Sequence, residues 1–169
     1  MSICAQCARI QRTCCEQTTV EVALTRGDIA RIAWQTGRSD FYQRQAVRPD
    51  QLDSYENPAR YGDEVAVYVM GLFDREGRRP ILKKQPDGSC LFVSSTGCTL
   101  PVASRPLLCR IYPYDWNDAR ELWVDAAYCP KALFRDEADL LEQVADPYEV
   151  ARALVDQLYD ELAEGGETR

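Results

Sequence analysis

The sequence predicts an α+β fold: a small irregular metal-stapled domain with a short β-hairpin or sheet and several helices, closed by a C-terminal amphipathic helix. Three observations predict it. Apolar residues recur at helical spacing after Thr25 and again after Pro147. Short β-branched runs alternate with Asp-Gly and Ser/Thr-Gly turn signals between Pro80 and Val102. Eight cysteines occur with no histidine, more thiols than a core of this size needs and in a pattern that suits metal ligation.

The elements follow in order. Thr19 to Ala23 alternates enough for a short strand. Thr25 opens a T-x-x-D box with Asp28, a helix N-cap; Ile29, Ile32 and Ala33 follow at helical spacing, and Gly37 is a stop. A second helical piece starts at Ser39 or Asp40. Residues 48–63 are polar, with Pro49, Pro58 and Gly62, and read as a loop. Glu64 to Phe73 is apolar and β-branched and reads as a strand. Asp74 to Arg79 is a turn, and Pro80 to Lys84 is a further strand. Asp87-Gly88 marks a tight turn. Ser89 to Val93 and Cys98 to Val102 then flank Ser94-Ser95-Thr96-Gly97 as a hairpin, which would bring Cys90 and Cys98 to one end of a ribbon. Arg105 to Tyr114 holds one helical turn ended by Pro113. In the last segment Asp146 caps a helix, Pro147 suits its first position, and Glu149 favours its positive end. Tyr148, Ala151, Val155, Leu158 and Leu162 form its apolar stripe, which reads as core packing, and Gly165-Gly166 ends it. The organisation is a cysteine-cluster region over 1–135 and a helical extension over 136–169 packed on the same core.

Composition narrows the chemistry. The chain has 169 residues, 46% hydrophobic and 28% charged, an ordinary globular balance long enough to bury roughly 70% of its unfolded surface. Without histidine there is no Ser-His-Asp triad, no Cys-His nucleophile pair, no Cys2His2 finger and no histidine-ligated iron or zinc site. General acid–base work would fall to carboxylates, Lys, Tyr or Cys. A net charge of −7 argues against nucleic acid and against an anionic membrane surface as partners. The N-terminus has no basic region followed by an apolar run, and no stretch has 18 apolar residues, so the expected location is cytoplasmic. Thiols stay reduced there unless a metal takes them. The sequence leaves the oligomeric state open.

The cysteines fall in two groups: Cys4, Cys7, Cys14 and Cys15, then Cys90, Cys98, Cys109 and Cys129. Cys4-x2-Cys7 is a chelating pair, because two intervening residues let both sulfurs turn toward one metal. Cys14-Cys15 needs a sharp turn to serve one site, since adjacent side chains of an extended chain point apart. Arg105 and Arg110 flank Cys109 and could offset thiolate charge, and Tyr112 joins them as a candidate beside the sulfurs. Cys129-Pro130 is the pair that ends many iron–sulfur runs. Two other readings weigh little. Cys129 and Arg135 have the C-x5-R spacing of a Cys-based phosphatase loop, yet CPKALFR lacks the glycine of a phosphate nest. Cys4-x2-Cys7 as a thioredoxin-like pair would need a preceding strand.

Taken together, Cys-x2-Cys closing in Cys-Cys, then Asp87-Gly88-x-Cys90-x-Phe92, Gly97-Cys98, Arg105-Pro106-x-x-Cys109-Arg110-x-Tyr112-Pro113 and Cys129-Pro130, resembles the bacterial CxxCxxCC cysteine-cluster family, the YkgJ-type zinc- or iron-chelating domain. The resemblance spans about residues 4 to 130, and the helix over Thr25 to Gly37 suits that family's layout. One spacing departs from it: six residues separate Cys7 from Cys14, where the family usually has two or three. The resemblance implies a metal-binding domain whose cysteines are the ligands, labelled in different members zinc-chelating, iron-chelating or ferredoxin-like. A related cluster occurs in flagellin lysine methylases.

An all-thiolate set suits zinc or an iron–sulfur cluster such as 4Fe-4S. Arginines with Tyr112, Tyr114, Trp116 and Tyr128 could shield a cluster, which tilts the expected cofactor toward iron–sulfur. Three functions follow: a metal-cluster protein with a redox, structural or accessory role; a cluster-dependent enzyme that modifies a protein side chain, lysine methylase-like; or a zinc or iron delivery protein. All three engage metal ions, and the second would engage a protein partner. No G-x-G-x-x-G and no G-x-x-x-x-G-K-[ST] supports a nucleotide enzyme.

Overall fold

Thr25 organises the first helix as its sequence box predicts. Its hydroxyl accepts the Asp28 N–H at 2.9 Å while the Asp28 carboxylate accepts the Thr25 N–H at 3.1 Å. Helix α1 then runs Arg26–Thr36 and ends at Gly37, whose φ of 66° lets its N–H reach the Ala33 carbonyl. In the computed structural model, the described residues are 6, 14–17, 21–46, 71–117, 119–144 and 147–166. Cys4, Cys7, Thr19, Val20, the loop over 48–63, residues 64–70 and the Asp146 cap lie outside them.

The remaining elements are β1 (Tyr42–Ala46), β2 (Arg78–Leu82), β3 (Val93–Ser94), β4 (Gly97–Cys98), α2 (Leu107–Ile111), β5 (Tyr114–Trp116), β6 (Leu122–Val124), α3 (Glu137–Val144) and α4 (Tyr148–Gly166). Single 3-10 turns occupy Cys14–Glu16, Val102–Ser104 and Lys131–Leu133. Among the described residues the strands form three antiparallel pairs, β1-β2, β3-β4 and β5-β6. The domain is α+β, with these small two-stranded sheets and four helices among the described residues.

Several expectations change. The segment from Ser39 or Asp40 is a strand, β1, not a helix. Phe41 is wholly buried beside Phe92, and the following backbone pairs with β2 from Tyr42↔Leu82 to Ala46↔Arg78. Those ladder bonds come from a partner nearly forty residues on, which local spacing does not reveal. Gly71 and Leu72 are helical where a strand was expected. The described part of the Thr19 to Ala23 segment joins β2 through one bridge, Ala23↔Ile81, with Leu24 N–H on the Pro80 carbonyl and Leu82 N–H on the Val22 carbonyl. The Asp87-Gly88 turn is present, with Gly88 at φ 85°. The hairpin beyond it is shorter than expected. It holds only Val93↔Cys98 and Ser94↔Gly97, because the Val93 N–H turns back to the Cys90 carbonyl and Pro101 leads into a 3-10 turn.

The apolar residues gather in two clusters. One is built on α4, where Ala151, Val155, Leu158 and Leu162 of the predicted stripe are buried with Leu154 and Tyr159. They cover Ala23, Leu72, Leu107, Ile111 and Tyr114. Tyr148 departs from the stripe: it stays 41% exposed and meets Tyr114 edge-on. The second cluster joins Leu24, Ile32, Phe41, Leu82, Phe92 and Leu100, and Cys90 and Cys98 pack against it. Asp28 bridges the two, since its buried carboxylate also accepts the Leu107 N–H at 3.0 Å. Arg31 pairs with both Asp28 and Glu161, tying α1 to α4. Among the described residues no helix is long and apolar enough to cross a membrane.

Candidate metal centre

Four chain segments converge here. The 3-10 turn over Cys14–Glu16 supplies the sharp bend that adjacent cysteines need. It is held by the Cys90 N–H, which donates to the Cys15 carbonyl at 2.6 Å. Cys90 itself is fixed by a bridge to Lys84 and by the Gln85 amide on its carbonyl. Cys98 stands on β4 opposite Val93, Cys109 on α2, and Cys129 on a turn whose N–H reaches the Ala126 carbonyl. Cys14, Cys15, Cys90, Cys98, Cys109 and Cys129 all line one cavity of about 260 Å³. Much of its remaining wall is apolar, including Val22, Leu82, Leu100, Leu108 and Phe134.

The thiols do not act independently. Hydrogen bonds from the Cys14 and Cys90 thiols, aided by the Arg105 charge, outweigh burial and push the Cys15 thiol down to about 3. Cys90 is pushed up, first because it is the donor to Cys15, then by burial. Burial also pushes Cys109 up, and negative charge on Cys15 and Cys98 adds to the effect. An apolar cavity crowded with sulfur accepts one thiolate readily and resists the next. A bound cation reverses that resistance, because a coordinating thiol is deprotonated outright.

Of the residues expected beside the sulfurs, Arg105 lines the cavity, with its Nε on the Leu100 carbonyl at 3.1 Å. Tyr112 lines it too. Its hydroxyl lies 3.5 Å from the Cys129 sulfur and accepts the Tyr128 N–H at 3.1 Å. Burial, then the Cys129 contact, raises its phenol well above the ordinary tyrosine value. Arg110 is not among the residues around the cavity, and its buried Nε has no hydrogen-bond partner among the described residues. Of the expected aromatic shield, Tyr128 lines the cavity, whereas Tyr114 and Trp116 face α4 and the Trp116 indole donates to the Tyr159 hydroxyl. Sequence reading missed Lys83 and Lys84 at the site. Lys84 Nζ donates to the Gln17 carbonyl at 2.9 Å, securing the segment that carries Cys14 and Cys15. The available signal was that two of three lysines in an acidic chain sit side by side, six residues before Cys90.

Among the described residues, no three Cys, Asp or Glu side chains converge on a single ion position. The donor set still fits a soft metal group: the sulfurs come without nitrogen ligands, in an apolar cavity bordered by cations. Compared with protein-family models, with curated proteins and with solved structures, the chain gives no match.

Proposed function

We propose that the chain is a metal-binding cysteine-cluster protein that holds an iron–sulfur cluster or zinc through Cys thiolates, in a redox, structural or accessory role. The observation that carries this reading is the gathering of six cysteines from four chain segments around one cavity. Iron–sulfur is favoured over zinc. Arg105, Tyr112 and Tyr128 line the cavity with the sulfurs and could shield a cluster. Cys14, Cys15, Cys90, Cys98, Cys109 and Cys129 are the candidate ligands described, and Cys4 and Cys7 complete the set by the resemblance noted above. When bound, the group would supply one-electron redox chemistry if iron–sulfur, or structural cross-linking if zinc. Arg105, Lys83 and Lys84 offset thiolate charge, and the apolar wall keeps water from the sulfurs. A thiolate site of this kind works in a reducing compartment, for which we propose the cytoplasm.

A second reading, a cluster-dependent enzyme acting on a protein side chain, draws on the tyrosines beside the sulfurs, Tyr112 and Tyr128, which could act as acids or bases.

Anaerobic purification followed by metal and acid-labile sulfide analysis tests the proposal. Iron with sulfide is the expected result, and zinc without sulfide would select the zinc form. Cys15→Ser and Cys109→Ser should each lose most of the metal and melt at a lower temperature. Metal-free wild-type protein, or unchanged content in both variants, would sink the ligand assignment.

A further inference from the structure

We propose that Tyr112 is the positioning residue for the Cys129 sulfur, a fixed hydrogen-bond donor to that ligand. The inference rests on the metal-binding reading above and assigns a role to one of its walls.

Ligation decides the direction of the bond. The Tyr112 hydroxyl sits 3.5 Å from Cys129 Sγ, within reach of a sulfur contact. The same oxygen accepts the Tyr128 backbone N–H at 3.1 Å. A ligating thiolate has no proton to give, so once Cys129 binds a cation the hydroxyl is the donor. The backbone holds both partners. Tyr112 follows α2 directly, with its N–H on the Leu108 carbonyl, three residues beyond Cys109. Tyr128 precedes Cys129 in the chain, and its ring lies 6.4 Å from that of Tyr112. One phenol thus links the α2 end of the site to the Cys129 turn.

Two of the other described sulfurs, those of Cys90 and Cys15, are met differently. Cys90 Sγ accepts a backbone N–H, from Phe92 at 3.4 Å. Cys15 is bonded by the thiols of Cys14 and Cys90, and those protons leave when the sulfurs ligate. The Tyr112 proton remains. It draws charge from the Cys129 thiolate, holds its rotamer, and compensates the burial of charge against an apolar wall.

The test uses the full chain loaded with Co(II) as a spectroscopic probe and with Zn(II) by chelator competition. Tyr112→Phe keeps the ring and removes the proton. It should weaken metal binding about tenfold and shift the sulfur-to-cobalt charge-transfer band. In iron-loaded protein it should lower the reduction potential, because the donor stabilises the more negative state. Placing 3-fluorotyrosine at 112 keeps the ring and strengthens the donor, so its band should move in the opposite direction, and it serves if the Phe variant fails to fold. In a Cys129→Ala background Tyr112→Phe should change affinity less than about twofold, since the partner is gone. Equal losses in both backgrounds would reduce Tyr112 to a support for Tyr128 and overturn the proposal. So would a wild-type protein that binds cobalt and a Phe variant with identical affinity and spectrum. A wild-type protein that takes up no metal would overturn the metal reading and this inference together.

Discussion

Thr25 does three things with one side chain. Its hydroxyl caps α1 by accepting the Asp28 N–H, it donates to the Glu161 carboxylate on α4, and its backbone N–H is held in turn by Asp28. Asp28 is itself wholly buried, and burial raises its carboxyl above the ordinary value despite the Arg31 guanidinium beside it. Thr25→Ala therefore removes a cap and one of the hydrogen bonds to Glu161. It should cost about 1–2 kcal/mol, read as a lower urea midpoint with an unchanged slope. Thr25→Ser, which keeps the hydroxyl, should recover most of the loss. The cap was legible because T-x-x-D is a local pattern. The further partners of Asp28 and Thr25, Leu107 and Glu161, were not, since they lie 79 and 136 residues away and no spacing rule connects them. The same contrast holds among the cysteines. That the thiols are candidate ligands was readable from composition, whereas the hydrogen bond between Cys15 and Cys90 depends on a fold contact.

At the scale of elements, α4 was legible and α3 was not. The stripe of α4 repeats over nineteen residues and buries what it predicts, apart from Tyr148. Helix α3 is eight residues long and makes its start through side chains. The Asp139 N–H is accepted by the Asp136 carboxylate, and the Asp139 carboxylate accepts the Arg135 N–H, the Arg135 guanidinium and the Gln143 amide. Led by the Arg135 guanidinium, these contacts hold the Asp139 carboxyl down at about 2, below its ordinary 3.8. A carboxyl depressed in the folded state stabilises above its unfolded value and loses that contribution as pH falls through its folded value. Wild-type protein should therefore lose stability from this group between about pH 4 and pH 2. Asp139→Asn should flatten that part of the profile in urea midpoints measured at each pH. The β1 segment shows the opposite failure of local reading. Tyr-Gln-Arg-Gln-Ala carries no strand signature, and only the β2 backbone makes it one.

At the scale of the molecule, the cavity forms where the two apolar clusters meet the cysteine-bearing turns. Cys90 and Cys98 lean on the Phe41 and Phe92 side, while Cys109 rides on a five-residue helix covered by α4. Helix α2 is too short to stand alone, so the C-terminal helix supports the site although it contributes no sulfur. On the proposed reading, metal at the site would link residues 14–15 to 90–129 and close long loops, so it should raise the melting temperature with concentration as a ligand of the folded state does. Stripping it with a chelator should return the lower value in differential scanning calorimetry. Two things at this scale were readable in advance: that thiols separated in sequence must meet, and that histidine takes no part. The cations that would balance them were half hidden, since Arg105 sits beside Cys109 in sequence whereas Lys84 arrives through its bridge to Cys90.

The convergence of these segments also has a consequence for how the protein is made. Cys15 leaves the ribosome more than a hundred residues before Cys129. At roughly 5–20 residues per second that interval is on the order of ten seconds. Through it the early sulfurs have neither their later neighbours nor the wall that shelters them. A nascent chain is thus exposed to oxidants and to the wrong metals before the last turn arrives. Recovery of loaded protein should depend on the redox state of the cell during translation as much as on metal supplied afterward.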